Sequence, residues 1–170
     1  DALPICFEWF EKICFVLVTS FFIYYLFYIL VPVAGPQFYF PAIGMDKVNA
    51  CIFPSIGDFF NTNNYLVPST GVDQGFFYDL VEASQEVGER PTAAFPSSHV
   101  GITIVSLLLA IRSQSKKLTL FILPFCIGIC FATVYIRSHY AIDAMTGLVS
   151  GFILYFFWAW VANAWKVLAD

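Results

Sequence analysis

The sequence predicts an all-α protein: a polytopic transmembrane helix bundle with an extracytoplasmic cap segment. The first reason is composition, since 59% of the 170 residues are hydrophobic and 12% are charged. A mean hydropathy of +0.77 is more than a water-exposed surface tolerates. The second is a set of uncharged apolar runs that can cross a bilayer at about 1.5 Å per residue. The third is a long segment with turn residues between the first two runs.

We expect four spans in a single membrane domain over residues 1–170. Three are uncharged runs of sufficient length, at about residues 13–34, 118–136 and 144–165. The fourth, over 97–113, joins a short apolar run to the polar start Ser97-Ser98-His99. Because unpaired polar groups are expensive in lipid, that start must face protein or a wet cavity.

The segment 35–96 is predicted to be the outer cap. It has turn residues at Asn61–Asn64 and at Pro68–Gly75, followed by a helix-like pattern from Phe76 to Val87. Apolar residues fall on one side of this helix and acidic residues largely on another. We interpret it as a helix that caps the bundle, and a lipid-gathering interfacial helix is the alternative.

Lysines and arginines orient the bundle, because cytoplasmic loops contain more of them. With the start of the first span in the cytoplasm, five of the eight basic residues lie inside and three outside. The inside set is Lys12, Arg112, Lys116, Lys117 and Lys166, and the outside set is Lys47, Arg90 and Arg137. We therefore expect a multi-pass protein of the cell membrane with both histidines on the extracytoplasmic face.

Charge and cysteine patterns exclude several classes of function. The net charge is −4 and no basic tract follows a phosphate backbone, so no nucleic acid partner is expected. The cysteines lie mostly in or beside apolar runs, which is typical of packing residues rather than of disulfides or zinc ligands. No carboxylate cluster could hold magnesium, and we expect neither a metal nor another cofactor.

The predicted chemistry depends on the only two histidines, each at a point where an outer loop enters a span. His99 follows Phe95-Pro96-Ser97-Ser98, and His139 stands within Arg137-Ser138-His139-Tyr140-Ala141-Ile142-Asp143. Ionisable residues at membrane helix ends indicate function. His139 and Asp143 share a helix face, so the carboxylate can hold one imidazole nitrogen and leave the other free to attack.

Groups suited to an oxyanion such as phosphate surround these histidines. Arg90 and Arg137 flank them in sequence, while Ser97, Ser98 and the free amides of a helix start can add donors. The alternative is that each histidine is an interfacial polar anchor. That explanation would be preferred for one histidine alone, but two histidines with an aspartate and two arginines favour a site.

The segment Pro96-Ser97-Ser98-His99 followed by His139-x-x-x-Asp143 resembles the type 2 phosphatidic acid phosphatase family, over about Arg90 to Gly151. That family includes bacterial lipid phosphatases and transferases similar to inositol phosphorylceramide synthase. The resemblance implies that His139 is a nucleophile that forms a phosphohistidine and that His99 protonates the leaving oxygen. It also implies that Asp143 orients the nucleophile and that no metal is needed.

The chain departs from the family pattern at several positions. Ala83 replaces the lysine of the first motif, and the Ser-Arg pair of the third motif falls on Ala132 and Thr133. The nearest arginine is Arg137, and Gln37 replaces the arginine of a turn in the transferase-like branch. Some of the residues that bind phosphate in this chain must therefore differ from those of the family. Family members usually have six spans, and four are predicted here. Either two amino-terminal helices of the family bundle are absent from this chain or the bundle is unusually small, and we favour the absence of the two helices.

These residues indicate a membrane lipid phosphate phosphatase that hydrolyses a phosphomonoester or a pyrophosphate. A lipid phosphotransferase of the inositol phosphorylceramide synthase type is the alternative, with the same catalytic residues. A scaffold or transporter would need an accidental His-His-Asp set, and the membrane spans disfavour a vanadium haloperoxidase. The expected partners are membrane lipids and a lipid phosphate, such as phosphatidic acid, phosphatidylglycerol phosphate, a polyprenyl pyrophosphate or lipid A. The sequence indicates no particular protein partner.

The charge bias makes a topological prediction. In a cysteine-free background, Gln74→Cys should react with an impermeant thiol reagent in intact cells, and Ser115→Cys should not, because only position 74 lies outside. Labelling is measured with and without permeabilisation. Reaction at 115 but not at 74 would invert the orientation.

Overall fold

The computed structural model describes residues 2–63, 75–76, 78–80, 83 and 90–169, and of 2–6, 61–62 and 165–169 only the backbone. Within these ranges the chain forms seven helices and no strand. They are α1 (Ala2–Leu30), α2 (Pro36–Ile43), α3 (Met45–Asn49), α4 (Phe59–Thr62), α5 (Ser98–Arg112), α6 (Lys116–Tyr135) and α7 (Ala141–Ala169). The predicted all-α bundle is confirmed.

Three helices are long and apolar enough to cross a membrane, which makes this a multi-pass membrane protein. The candidate spans are Phe7–Leu30 in α1, Lys116–Tyr135 in α6 and Ala141–Ala164 in α7. Helix α5 is apolar but has 15 residues. It covers about 22 Å of a hydrocarbon core of about 30 Å. The span predicted over 97–113 is thus a short helix, and its crossing of the bilayer stays a prediction.

The first span differs from its prediction, because α1 ends at Leu30 and not at residue 34. The Val33 amide donates to the Thr92 carbonyl at 3.1 Å, and the Ala94 amide donates to the Val33 carbonyl at 3.1 Å. These bonds form an isolated parallel bridge between Val33 and Ala93. Apolar residues suit a helix or an extended segment equally well, and here pairing with the chain before α5 satisfies their backbone groups.

Helix α5 lies at the centre of the bundle, where it packs most extensively against α7 and also contacts α1 and α6. Two buried apolar clusters surround it, one of Val16, Val105, Leu109 and Tyr155, the other of Val100, Ile104, Cys126 and Ala144. Many large apolar side chains on the outer faces of α1, α6 and α7 are exposed, as helices surrounded by lipid require. The central helix is therefore the one that holds the others in place.

Glycines bring α5 and α7 into backbone contact. A Cβ atom at Gly151 would lie 2.6 Å from the Gly101 carbonyl oxygen, and one at Gly147 would lie 2.5 Å from the Ser97 carbonyl oxygen. At Gly101 a Cβ would collide with the hydroxyl of Tyr24 from α1. Small residues at such crossings are how membrane helices pack closely.

The described part of the cap segment is anchored to the bundle through α2. The Gln37 amide donates to the Arg137 carbonyl at 3.0 Å, and the rings of Phe40 and Tyr140 lie 6.1 Å apart, edge to face. The turns predicted at 61–64 and 68–75 and the helix predicted at 76–87 lie largely outside the described residues. Helix α2 thus links the cap to the turn before α7.

The α5–α7 crossing makes a prediction about stability. Gly151→Ala should destabilise the protein by about 1–3 kcal/mol, because the new methyl group meets a backbone carbonyl that cannot move aside. The matched control is Gly128→Ala in α6, where a Cβ has nothing within 4 Å, and helix propensity should leave it neutral or stabilising. Unfolding midpoints in detergent micelles measure both. A drop at 128 as large as at 151 would contradict the packing argument.

Candidate active site

The fold brings the two histidines together at one end of the bundle. His99 lies exposed in the first turn of α5, and His139 is 4% exposed in the turn between α6 and α7. His99 Nδ1 is 3.4 Å from His139 Nε2. The backbone amide of His139 donates to the Thr133 carbonyl at 3.0 Å, which ties the turn to the end of α6. Residues forty positions apart thus form one site.

The second ring nitrogen of His139 is held mainly by a backbone carbonyl. Nδ1 lies 2.7 Å from the Ala94 carbonyl oxygen and 3.8 Å from Oδ2 of Asp143. Since a carbonyl only accepts, Nδ1 bears the proton and donates it, which leaves the lone pair on Nε2. The carboxylate expected to hold this nitrogen is beyond hydrogen-bond distance. Sequence reasoning missed Ala94, because a backbone carbonyl has no residue-type signature.

Asp143 is 1% exposed and lies in the first turn of α7. Its Oδ2 accepts from the Tyr140 amide at 2.8 Å, as an acidic residue does when it reaches back to the start of its helix. A negative charge is also favoured at a helix N-terminus. The carboxylate is therefore fixed in position close to the His139 ring.

Ser97 is the fully buried N-cap of α5. Its hydroxyl accepts from the Val100 amide at 3.4 Å, and its own amide donates to the Asp143 carbonyl at 3.1 Å. A serine N-cap of this kind satisfies a helix-start amide that would otherwise be unpaired. Ser97 therefore joins the starts of α5 and α7, although the sequence suggested it as a phosphate donor.

Tyr28, near the end of α1, forms hydrogen bonds with two backbone groups of the loop that contains Ser97. Its hydroxyl donates to the Pro96 carbonyl at 3.0 Å and accepts from the Ser98 amide at 3.0 Å. The expectation that the amides of this helix start are free is wrong for Ser97, Ser98 and Val100, which all have protein partners. No sequence motif pointed to Tyr28, which is one of several tyrosines in an apolar run.

The turn before His139 is fixed against the start of α2. The Arg137 carbonyl accepts from the Gln37 amide, and the Ser138 hydroxyl donates to Gln37 Oε1 at 3.3 Å. Arg137 has φ of 62°, in the left-handed region. A Cβ at Gly35 would lie 2.8 Å from the Ser138 carbonyl oxygen, so the chain needs glycine there. Gln37 thus lies beside the site, through its contact with the residue before His139.

The two arginines predicted to bind phosphate, Arg90 and Arg137, are exposed. Neither guanidinium forms a hydrogen bond or an ion pair with a residue that the structure describes. Among the residues placed by the structure nothing neutralises these two charges, and the arginines do not contact the histidines. Across the described ranges, no three side chains of His, Cys, Asp or Glu gather as a metal site would require.

Tyr140, between His139 and α7, is an ionisable neighbour of the site with a clearly shifted pKa. Burial raises the pKa of the Tyr140 phenol to about 12, and the nearby Tyr39 and Asp143 raise it as well. The phenol is therefore neutral throughout the physiological pH range. It can donate a hydrogen bond but cannot act as a base.

Comparison with known families agrees with this arrangement. The profile of the PAP2 superfamily matches residues 7–157, which is most of the chain. The matched range starts in α1 and ends in α7, so it includes both histidines and Asp143. No curated protein and no solved structure shows a significant match. The family resemblance predicted from the two histidine motifs is confirmed.

Proposed function

Because this chain belongs to the PAP2 superfamily, whose membership implies phosphatase or phosphotransferase activity on phosphate esters, we propose that it is a membrane lipid phosphate phosphatase. The observation that most supports this is the contact of the two histidines, in which Nε2 of His139 faces Nδ1 of His99 at 3.4 Å. The chain has three candidate membrane spans, which suits a substrate held in the bilayer.

His139 is the proposed nucleophile. Its Nδ1 proton is held by the Ala94 carbonyl, so Nε2 is the nitrogen that attacks phosphorus. As the N–P bond forms, positive charge develops on the ring, and the buried carboxylate 3.8 Å away stabilises it. Asp143 thus acts through charge, while the carbonyl fixes the tautomer.

His99 is the proposed acid for the leaving group. It is exposed whereas His139 is buried, so it can swing aside as a phosphoryl group enters between the rings. In the first step it gives a proton to the leaving ester oxygen, and in the second it takes one from the water that cleaves the phosphohistidine. One histidine then serves as acid and base in turn.

The phosphoryl oxygens need donors, and we propose Arg90, Arg137 and the Ser98 hydroxyl. Both guanidinium groups are exposed without a partner in the described residues, so they can close on an anion at little cost. Ser97 is assigned to holding the helix starts together. The proposed substrate is a lipid phosphomonoester or pyrophosphate on the extracytoplasmic face of the cell membrane, and no metal takes part.

Loss of either histidine should abolish most activity. His139→Ala and His99→Ala should each lower the rate of phosphate release by roughly 10²-fold or more, because each removes a reacting group. Asp143→Asn should be impaired, vanadate should inhibit, and excess chelator should not. Ser106→Ala, two turns along α5, is the control and should keep wild-type activity. The release of inorganic phosphate from lipid phosphates in detergent measures these activities. Normal turnover in His139→Ala would contradict the phosphohistidine mechanism.

The product distinguishes hydrolysis from transfer. With a short-chain lipid phosphate and abundant glycerol or inositol, inorganic phosphate should be the main product. The cap sequence contains Asp79, Glu82, Glu86 and Glu89, which repel an anionic acceptor. Gln37, at the turn beside the site, lacks the charge of the arginine in the transferase-like branch. If most phosphate stays bound to the added alcohol, the phosphotransferase alternative is correct.

A further inference from the structure

The loop that precedes His99 is held from two sides. On one side the Ser97 amide donates to the Asp143 carbonyl at 3.1 Å. On the other, the Tyr28 hydroxyl contacts the residues on either side of Ser97, namely the Pro96 carbonyl and the Ser98 amide, both at 3.0 Å. One phenol therefore bridges the last peptide before α5 and the first amide within it.

Helix α1, which carries this phenol, is itself held against α7. Tyr24, one turn before Tyr28, is 1% exposed, and its hydroxyl is 2.7 Å from Ser150 Oγ in α7. Its ring lies against Gly101, where no side chain would fit. Polar contacts between membrane helices are retained because lipid offers no other partner. Tyr28 thus acts from a helix that is tied to α7.

We propose that Tyr28 is a positioning residue for the acid step, which sets the start of α5 so that His99 stands over His139. The proposal rests on the proposed function, since it concerns His99 as the proton donor. Without the hydroxyl, the Pro96 carbonyl and the Ser98 amide lose their partner, and the loop must shift to find others. A displacement of about 1 Å at a reacting group can cost 10²-fold in rate.

The chemistry of His99 makes this role measurable. When the N–P bond forms at His139, the P–O bond breaks and its electron pair goes to the ester oxygen. An alkyl oxygen needs the His99 proton at that moment, whereas nitrophenolate leaves without one. In the step that forms the phosphohistidine, a misplaced acid therefore slows alkyl phosphates selectively, while general loosening of the fold slows both substrates alike.

The test compares dioctanoyl phosphatidic acid with 4-nitrophenyl phosphate. Tyr28→Phe should lower kcat/KM on the lipid about 10-fold or more and on the aryl ester less than about threefold, because kcat/KM reports the steps up to release of the leaving group and not the later attack of water, which both substrates share. In a His99→Ala background Tyr28→Phe should add almost nothing, because the two act as a unit. The controls are Tyr25→Phe, on the exposed face of α1, and Tyr24→Phe, which should not discriminate between the substrates.

A second pair of variants tests the same contact from the other partner. Ser98 is the first residue of α5 after an extended N-cap, where proline is tolerated. Ser98→Pro and Ser98→Ala both lose the hydroxyl, but only proline also loses the amide proton that Tyr28 accepts. Ser98→Pro should show the alkyl-selective loss relative to Ser98→Ala. This pair still tests the proposal if Tyr28→Phe folds poorly.

Two results would overturn the positioning role: equal slowing of both substrates by Tyr28→Phe, or an undiminished further loss in the His99→Ala background. A different result would count against the proposed function instead. If His99→Ala itself lowers kcat/KM for the alkyl and aryl esters equally, then His99 is not the acid, whatever Tyr28 does.

Discussion

The close approach of α5 and α7 at their starts is the constraint on which the rest of the site depends. The Ser97 amide donates to the Asp143 carbonyl, and Gly147 leaves no space for a Cβ beside the Ser97 carbonyl. Helices in lipid gain little from burying apolar surface against one another, so small residues and interhelical hydrogen bonds decide their packing. His99 lies in the first turn of α5, and Asp143, in the first turn of α7, lies 3.8 Å from His139. This junction therefore fixes the proposed acid relative to the proposed nucleophile.

The two histidines differ in exposure, and the proposed mechanism uses that difference. His139 is buried, with its amide on the Thr133 carbonyl and its Nδ1 on the Ala94 carbonyl. His99 is exposed in the first turn of α5. A nucleophile that must meet phosphorus in line benefits from a fixed ring, whereas a group that gives and later takes a proton must move with the substrate.

Much of the architecture could be predicted from the sequence, because long uncharged runs have few alternatives to membrane helices. The histidine pair was also predictable from two motifs. Backbone partners were not: α1 ends at Leu30 because the Val33 backbone pairs with Thr92 and Ala94. For the same reason the sequence did not predict three further features: the Ala94 carbonyl that holds His139, the capping role of Ser97 and the bridge made by Tyr28. Each depends on which segments meet in space, and local composition does not encode that.

The central claim is that phosphate passes through Nε2 of His139. This phosphohistidine can be measured directly. The enzyme is quenched rapidly without acid during turnover of a ³²P-labelled lipid phosphate, and the labelled residue is then identified by peptide mapping. The account predicts one labelled residue, His139, whose phosphoryl bond survives base and is lost in acid, and no label in His139→Ala. Label on His99, on a serine or on an aspartate, or turnover without any phosphoenzyme, would contradict it.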